Sequence, residues 1–193
     1  MYVVFDFETT GLDYKTEQVI EIACAKLDAN LKPIATINGL VALNEGKKLP
    51  PFITQLTGIT PDMLEGQKSE KESLQNLKEF IGDSIVVAQF ASFDLSFLSK
   101  VLNPEQFICT RSMARMLRPE AKASLANLVE HYGVTNLDPH RAFADVEATI
   151  EVFKHQKAEC DEKGIEYMNV LVDSKERPLN YVPENATVKY MEY

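Results

Sequence analysis

The sequence predicts an α/β fold, one mixed sheet with helices on its faces, and three observations carry that expectation. Strand-like segments crowd residues 3–43 with connections too short for a crossover, so they form an antiparallel three-strand meander. From Ser69 onward the apolar period lengthens from two to about 3.6, and short apolar runs then alternate with helical stretches, as strand–helix–strand units with parallel strands do. The chain has 193 residues, 45% hydrophobic and 25% charged, enough for one globular domain with a sizeable core and a small appendage.

The first strand, Val3 to Glu8, is apolar until its end. A side-chain period of two places Asp6 and Glu8 on one face with Val4 behind them, and Phe5 and Phe7 opposite. Gln18 to Leu27 alternates, with Ile20, Ile22 and Cys24 on one side, and Leu31 to Leu43 continues through Ile34, Ile37 and Val41. Pro50-Pro51 breaks the pattern, a short helix from Phe52 to Thr57 stops at Gly58, and Thr60-Pro61 offers an N-cap with proline at the first helical position. Ser69 and Glu72 have capping-box spacing, and Leu74, Leu77, Phe80 and Ile81 form a helix face before Gly82-Asp83 turns the chain.

Ser84 to Ala88 centres on Ile85-Val86-Val87, a strand buried on both faces. A helix follows through Leu95, Leu98, Val101 and Leu102, then a short strand at Phe107 to Cys109. Helices are expected over Arg111 to Leu117, over Leu125 to Tyr132 closed by Gly133, and from Arg141 to Cys160 with Phe143, Val146, Ile150 and Phe153 on one face. The tail departs from this grammar: Glu166 to Val172 reads as a further strand, Asp173 to Arg177 as a polar turn, and Pro178 and Pro183 punctuate the rest. Its aromatics Tyr181, Tyr190 and Tyr193 are available to pack back on the domain or to meet a partner. The expected division is a main domain over residues 1–160 and a C-terminal extension over 161–193.

Composition excludes several classes. No apolar run approaches membrane-spanning length and the chain enters a strand without a signal-peptide pattern, so a soluble cytoplasmic protein with no membrane partner is expected. Cys24, Cys109 and Cys160 are odd in number, widely spaced and flanked by apolar residues, which makes them reduced core thiols rather than a zinc or disulfide framework. Non-specific nucleic-acid binding rests on counterion release by Lys and Arg, and the net charge of −9 argues against a nucleic-acid-coating module. It leaves room for an enzyme that grips a few phosphates through metals.

Two acids on a buried strand end repel each other, and cations such as Mg²⁺ or Mn²⁺, which take oxygen ligands, relieve that repulsion. An acid-x-acid pair equally describes a solvated strand end leading into the turn at Thr9-Thr10-Gly11. Asp94 stands at a helix start, where Asp complements the dipole whether or not it reaches a strand's carboxyl end. Asp145 lies among Ala142, Phe143, Ala144 and Val146, where an unpaired carboxylate is costly. Five positions earlier His140 sits in the loop entering the long helix, able to approach a water as a general base, whereas His131 and His155 occupy ordinary helix positions.

Asp6-Phe7-Glu8-Thr9-Thr10-Gly11-Leu12, then Phe93-Asp94-Leu95 with Phe97-Leu98, then His140-Arg141-Ala142-Phe143-Ala144-Asp145 resemble the three motifs of the DnaQ-like, or DEDDh, 3′-to-5′ exonucleases. That family includes the proofreading subunit or domain of bacterial replicative DNA polymerases. Leu56-Thr57-Gly58-Ile59-Thr60 and Cys109-Thr110-Arg111-Ser112-Met113-Ala114 are similar to its connecting segments, and the resemblance runs from Met1 to Phe153. It implies an RNase H-like fold with two Mg²⁺ or Mn²⁺ ions held by Asp6, Glu8, Asp94 and Asp145. It also implies that His140 deprotonates the attacking water and that nucleoside 5′-monophosphates leave from a 3′ end. Thr9, Thr10, Gly11 and Leu12 would line the pocket for the terminal nucleotide, with backbone amides near its sugar and Leu12 against its base, and Phe93 would join them.

One departure is Gln89-Phe90-Ala91, where the family usually reads His-Asn-Ala, so the substrate contact of that Asn is in doubt. Phe90 is either core filling or a ring that stacks on a base or sugar of the substrate strand. Arg111, Arg115 and Arg118 fall on one helix stripe with Lys122 beyond, either a solvated face or a track for the incoming strand. The expected substrate is the 3′ end of single-stranded or frayed DNA, because a narrow site threads one strand and so acidic a protein does not melt a duplex by affinity. An exoribonuclease that trims RNA ends or short oligonucleotides is the alternative, and a non-catalytic interaction module the more distant one. The chain carries no polymerase segment, so proofreading would place it beside a separate DNA polymerase subunit.

Overall fold

The computed structural model describes residues 1–175 and 177–192, with Glu192 by its backbone alone. One five-stranded sheet runs in the order β3-β2-β1-β4-β5. Strands β1 (Tyr2–Thr9), β2 (Val19–Leu27) and β3 (Pro33–Leu40) form the antiparallel meander, while β4 (Ile85–Ala88) and β5 (Phe107–Cys109) add in parallel beside β1. The central β1 carries the first acid pair, with Tyr2, Val3 and Val4 paired to Ile85, Val86 and Val87 of β4.

Helices cover both faces. On one, Val3, Phe5 and Phe7 pack with α3 (Glu70–Ile81) and α4 (Ala91–Leu98) through Leu74, Leu77, Leu95 and Phe97. On the other, Val4, Ala23 and Ala25 pack with α5 (Thr110–Leu117) and α7 (Ala142–Lys163) through Met113, Val146, Ile150 and Phe153. The predicted face alternation of β1 therefore holds. Helix α1 (Pro51–Thr57), the single turn α2 (Pro61–Leu64) and α6 (Leu125–Tyr132) complete the layers. The cysteines are buried and unpaired.

Three details differ from the sequence reading. Ile20 does not share a side with Ile22 and Cys24: the β1–β2 register shifts so that Glu8 faces Glu21 while Thr9 faces Val19, a bulge with Ile20 as the extra residue. Ile20 turns into a separate cluster with Leu49, Ile53, Ile59 and Leu64, and Val19 takes the place beside Ile22. The third strand begins only at Pro33, because Leu31 occupies a left-handed turn (φ 59°) that Asp28 closes by accepting the Asn30 and Lys32 amides at 2.9 Å. Helix α4 ends at Leu98, where Ser96 and Ser99 hydroxyls donate to the Phe93 and Ser96 carbonyls at 2.6 Å and the chain goes over into turns.

The tail packs against the same core. Strand β6 (Val170–Asp173) pairs in parallel with β7 (Lys189–Glu192), later and shorter than the predicted strand, and Leu171 is fully buried in the main cluster. Asn169 exchanges hydrogen bonds with Phe107 of β5, its amide donating to the Phe107 carbonyl at 2.9 Å and its side-chain oxygen accepting the Phe107 amide at 2.8 Å. Tyr181 packs edge-on against Tyr14 at 5.6 Å between ring centroids, and Tyr190 is exposed. Tyr193 lies outside the described residues.

Candidate active site

The end of β1, the first turn of α4 and the start of α7 meet at one small cleft of about 160 Å³, lined by Asp6, Glu8, Gln89, Phe90, Phe93, Asp94, His140, Asp145 and Arg177. Carboxylate oxygens of Asp6, Glu8 and Asp145 all lie within 4.8 Å of one another. Asp94 joins from the opposite sheet face: it is 3% exposed and sits near the Phe7 amide, close enough to raise Asp6 more than any other acid does. Of the four predicted acids, three thus form one oxygen cluster and the fourth borders it.

Burial is the first cause of every shift here. It pushes Asp6 well above the carboxylate range, with Asp94 and Glu8 adding repulsion. Glu8 rises to about 8, with Asp145, Glu21 and Asp94 around it, and Asp94 rises to about 7. Asp145 is also raised, although the Asn136 amide and the His140 backbone N–H pull the other way. Such a cluster of oxygen donors fits hard divalent cations, whose charge would replace the protons the fold otherwise holds.

That electrostatics has a sign. Unfolded carboxylates titrate near pH 4. Between there and the folded values of about 7 and 8 the folded chain keeps protons that the unfolded chain has lost, so metal-free stability falls as pH rises through this window and stays low above it. Mg²⁺ or Mn²⁺ at about a hundred times its dissociation constant is expected to stabilise by about 2.7 kcal/mol, roughly 5–10 °C in Tm, at pH 8 and by much less at pH 5. Thermal melts with and without EDTA check this, and an equal metal effect at both pH values would count against the cluster as a cation site.

His140 lies on the turn before α7 with φ 66°, a left-handed conformation uncommon outside glycine. Its backbone N–H donates to Asp145 Oδ2 at 3.2 Å, and its side chain lines the cleft. Two residues absent from the sequence reading hold this segment. Asn136 donates to Asp145 Oδ1 at 2.6 Å. Glu21, opposite Glu8 on β2 and 2% exposed, accepts from Arg141 Nη2 at 2.8 Å and from the Ala142 backbone N–H at 3.1 Å, so it caps α7 from across the sheet. A lone acid between Ile20 and Ile22 was its only trace in the sequence.

The segment after β1 is partly occupied with itself. Thr10 donates its amide to the Gln18 carbonyl at 2.9 Å and its hydroxyl to Glu17 Oε2 at 2.5 Å, while Thr9 Oγ1 donates to the Gly11 carbonyl at 2.7 Å. A Cβ on Gly11 would stand 2.9 Å from Glu17 Cγ, so any side chain there would require Glu17 to shift. Leu12 is 74% exposed and Phe93 packs on Phe97 at 5.2 Å. Phe90 is buried, and its ring carries the guanidinium groups of Arg177 at 4.7 Å and Arg111 at 5.4 Å. The arginine stripe is neither a solvated face nor an open track: Arg111 bonds Ser174 Oγ at 3.2 Å, Arg115 the Ala121 carbonyl at 3.0 Å, and Arg118 pairs with Glu159 at 2.7 Å and bonds Tyr132.

A sheet of this topology with acids gathered at the end of its central strand defines an RNase H-like fold of the nuclease kind. The family model described as Exonuclease (RNase_T) matches residues 3–153, and the chain belongs to that family. Among its relatives, the PolC-type DNA polymerase III of Clostridium perfringens is 36% identical over 94% of this chain and 13% of its own length. DNA polymerase III subunit epsilon of Aquifex aeolicus is 35% identical, covering 79% of this chain and 78% of the relative. The chain therefore spans about an eighth of the PolC-type polymerases it matches and most of the epsilon subunit. The solved nuclease domain of 3′hExo, a DEDDh family member bound to rAMP, shares the fold with a TM-score of 0.69 at 17% identity, over 86% of this chain and 94% of that one.

Proposed function

We propose that this chain is a metal-dependent 3′-to-5′ exonuclease that releases nucleoside 5′-monophosphates from DNA. The observation that carries the reading is the convergence of Asp6, Glu8, Asp94 and Asp145 on one cleft beside His140, in a chain of the exonuclease family. The four acids are the residues that would hold two Mg²⁺ or Mn²⁺ ions. When bound, such ions supply the positive charge that offsets the charge developing on the transferred phosphate, and they activate water near neutral pH.

His140 takes the proton of the attacking water as general base. Asn136, and Glu21 through Arg141 and Ala142, keep the His140–Asp145 segment in place meanwhile. Leu12, exposed at the end of the β1 turn, meets the terminal base, with Thr9, Gly11 and Phe93 around the nucleotide, while Thr10 shapes the turn through Gln18 and Glu17. Phe90 serves the substrate through the guanidinium it carries.

DNA as substrate, a DNA polymerase as partner and a cytoplasmic setting are supported by relatives that are DNA polymerase III proteins. Among the described residues no helix is long and apolar enough to cross a membrane. Residues 1–160 make the exonuclease domain in this reading, with 161–193 as an extension that completes it. The test is a panel of single-stranded DNA, mismatched duplex DNA and RNA of one sequence, each labelled at the 5′ or the 3′ end. Stepwise shortening from the 3′ end, fastest on single-stranded or mismatched DNA, is expected. Faster degradation of RNA would make the protein an exoribonuclease, and no mononucleotide release with Mg²⁺ or Mn²⁺ would leave it an interaction module.

A further inference from the structure

We propose that Arg177, carried by the segment after β6, grips a phosphate of the nucleic-acid strand lying in the cleft; the identity of that strand rests on the exonuclease reading above. Two divalent cations would balance the four carboxylates of the cleft without leaving a surplus, so on this acidic chain a side-chain cation at the cleft adds a hold on a polyanion that the metals alone do not give. Arg177 and His140 are the basic side chains that line it. Arg141 and Arg118 are spent on Glu21 and Glu159, whereas Arg177 is exposed and makes no ion pair among the described residues. Its guanidinium carbon lies over the Phe90 ring, 4.7 Å from the centroid, a cation–π contact that positions the group and leaves its N–H donors for a bidentate phosphate contact.

The backbone holds that position. The Arg177 N–H donates to the Ser174 carbonyl at 3.1 Å and to Ser174 Oγ at 3.3 Å, and the Leu179 N–H donates to Asp173 Oδ1 at 3.1 Å. Ser92, in the same first turn of α4 as Asp94, accepts the Asn180 and Tyr181 amides at 3.0 Å and donates to the Tyr181 carbonyl at 2.8 Å. The loop that carries Arg177 is thereby fastened to the helix turn that carries a catalytic-type acid.

The test compares His140→Ala with His140→Ala/Arg177→Gln, so that the strand survives the titration. Binding of a fluorescein-labelled single-stranded oligodeoxynucleotide is followed by anisotropy in Mg²⁺ over a range of KCl. Loss of one phosphate contact is expected to flatten the log K against log salt slope by about 0.7 and to weaken binding roughly tenfold. Arg177→Met, which keeps the stem on Phe90, should behave like Arg177→Gln, and Arg177→Lys should keep the slope while losing affinity. An unchanged slope in both Gln and Met variants, beside a wild-type chain that releases mononucleotides, overturns the Arg177 assignment alone. A wild-type chain that neither releases mononucleotides nor binds the oligonucleotide overturns the exonuclease reading with it.

Discussion

Asp145→Ala is expected to lower mononucleotide release by three orders of magnitude or more, and Asp6→Ala to do the same. Removing a metal ligand forfeits several kcal/mol of transition-state charge stabilisation, and each factor of ten is about 1.36 kcal/mol. EDTA should reproduce the loss until Mg²⁺ or Mn²⁺ is restored. The same substitutions have a second signature that activity does not contain. Asp145 is among the charges that raise Asp6, Glu8 and Asp94, so its removal should hold or raise the metal-free Tm at pH 8 even as it abolishes the metal-induced rise. Wild-type release by Asp145→Ala, or release indifferent to EDTA, would sink the metal site.

Replacing His140 should cost about 10² to 10⁴ in turnover while the metal-induced rise in Tm survives. The left-handed backbone at His140 separates two explanations. Alanine there loses the imidazole and keeps the roughly 1–2 kcal/mol of left-handed strain that histidine already bears, whereas glycine loses the imidazole and relieves that strain. Equal losses of turnover in His140→Ala and His140→Gly assign the effect to the ring. If glycine restores the rate, the residue acts only through its backbone N–H to Asp145, and another group is the base.

Much of this site was legible because its rules are local. Period two along β1 placed Asp6 and Glu8 on the face that turns toward α7, and the helix-start position of Asp94 and Asp145 put each in the first turn of a real helix. Caps and breakers, such as Ser69, Gly58 and Gly133, likewise marked ends that the structure keeps. Phe90 was legible as an exception but not as a role, since a ring has the same one-letter identity whether it fills a core or supports a guanidinium.

What the sequence determined by itself is the order of elements, the antiparallel meander leading into parallel strands, and the carboxylates and histidine gathered by the three motifs. The elements follow from spacing within a strand or a helix turn, where neighbours a few residues apart decide geometry, whereas the grouping of the carboxylates with His140 was implied by the family resemblance. Only the tertiary structure decided the bulge that sends Ile20 away from Ile22, the arginine stripe turned inward on Ser174 and Glu159, and the tail laid against α4. It alone decided that Glu21 would cap a helix 120 residues away and that Arg177, read as part of a polar turn, would line the cleft. These are single polar contacts between distant segments, and a side chain carries no periodicity that names its partner before the core has brought the two together.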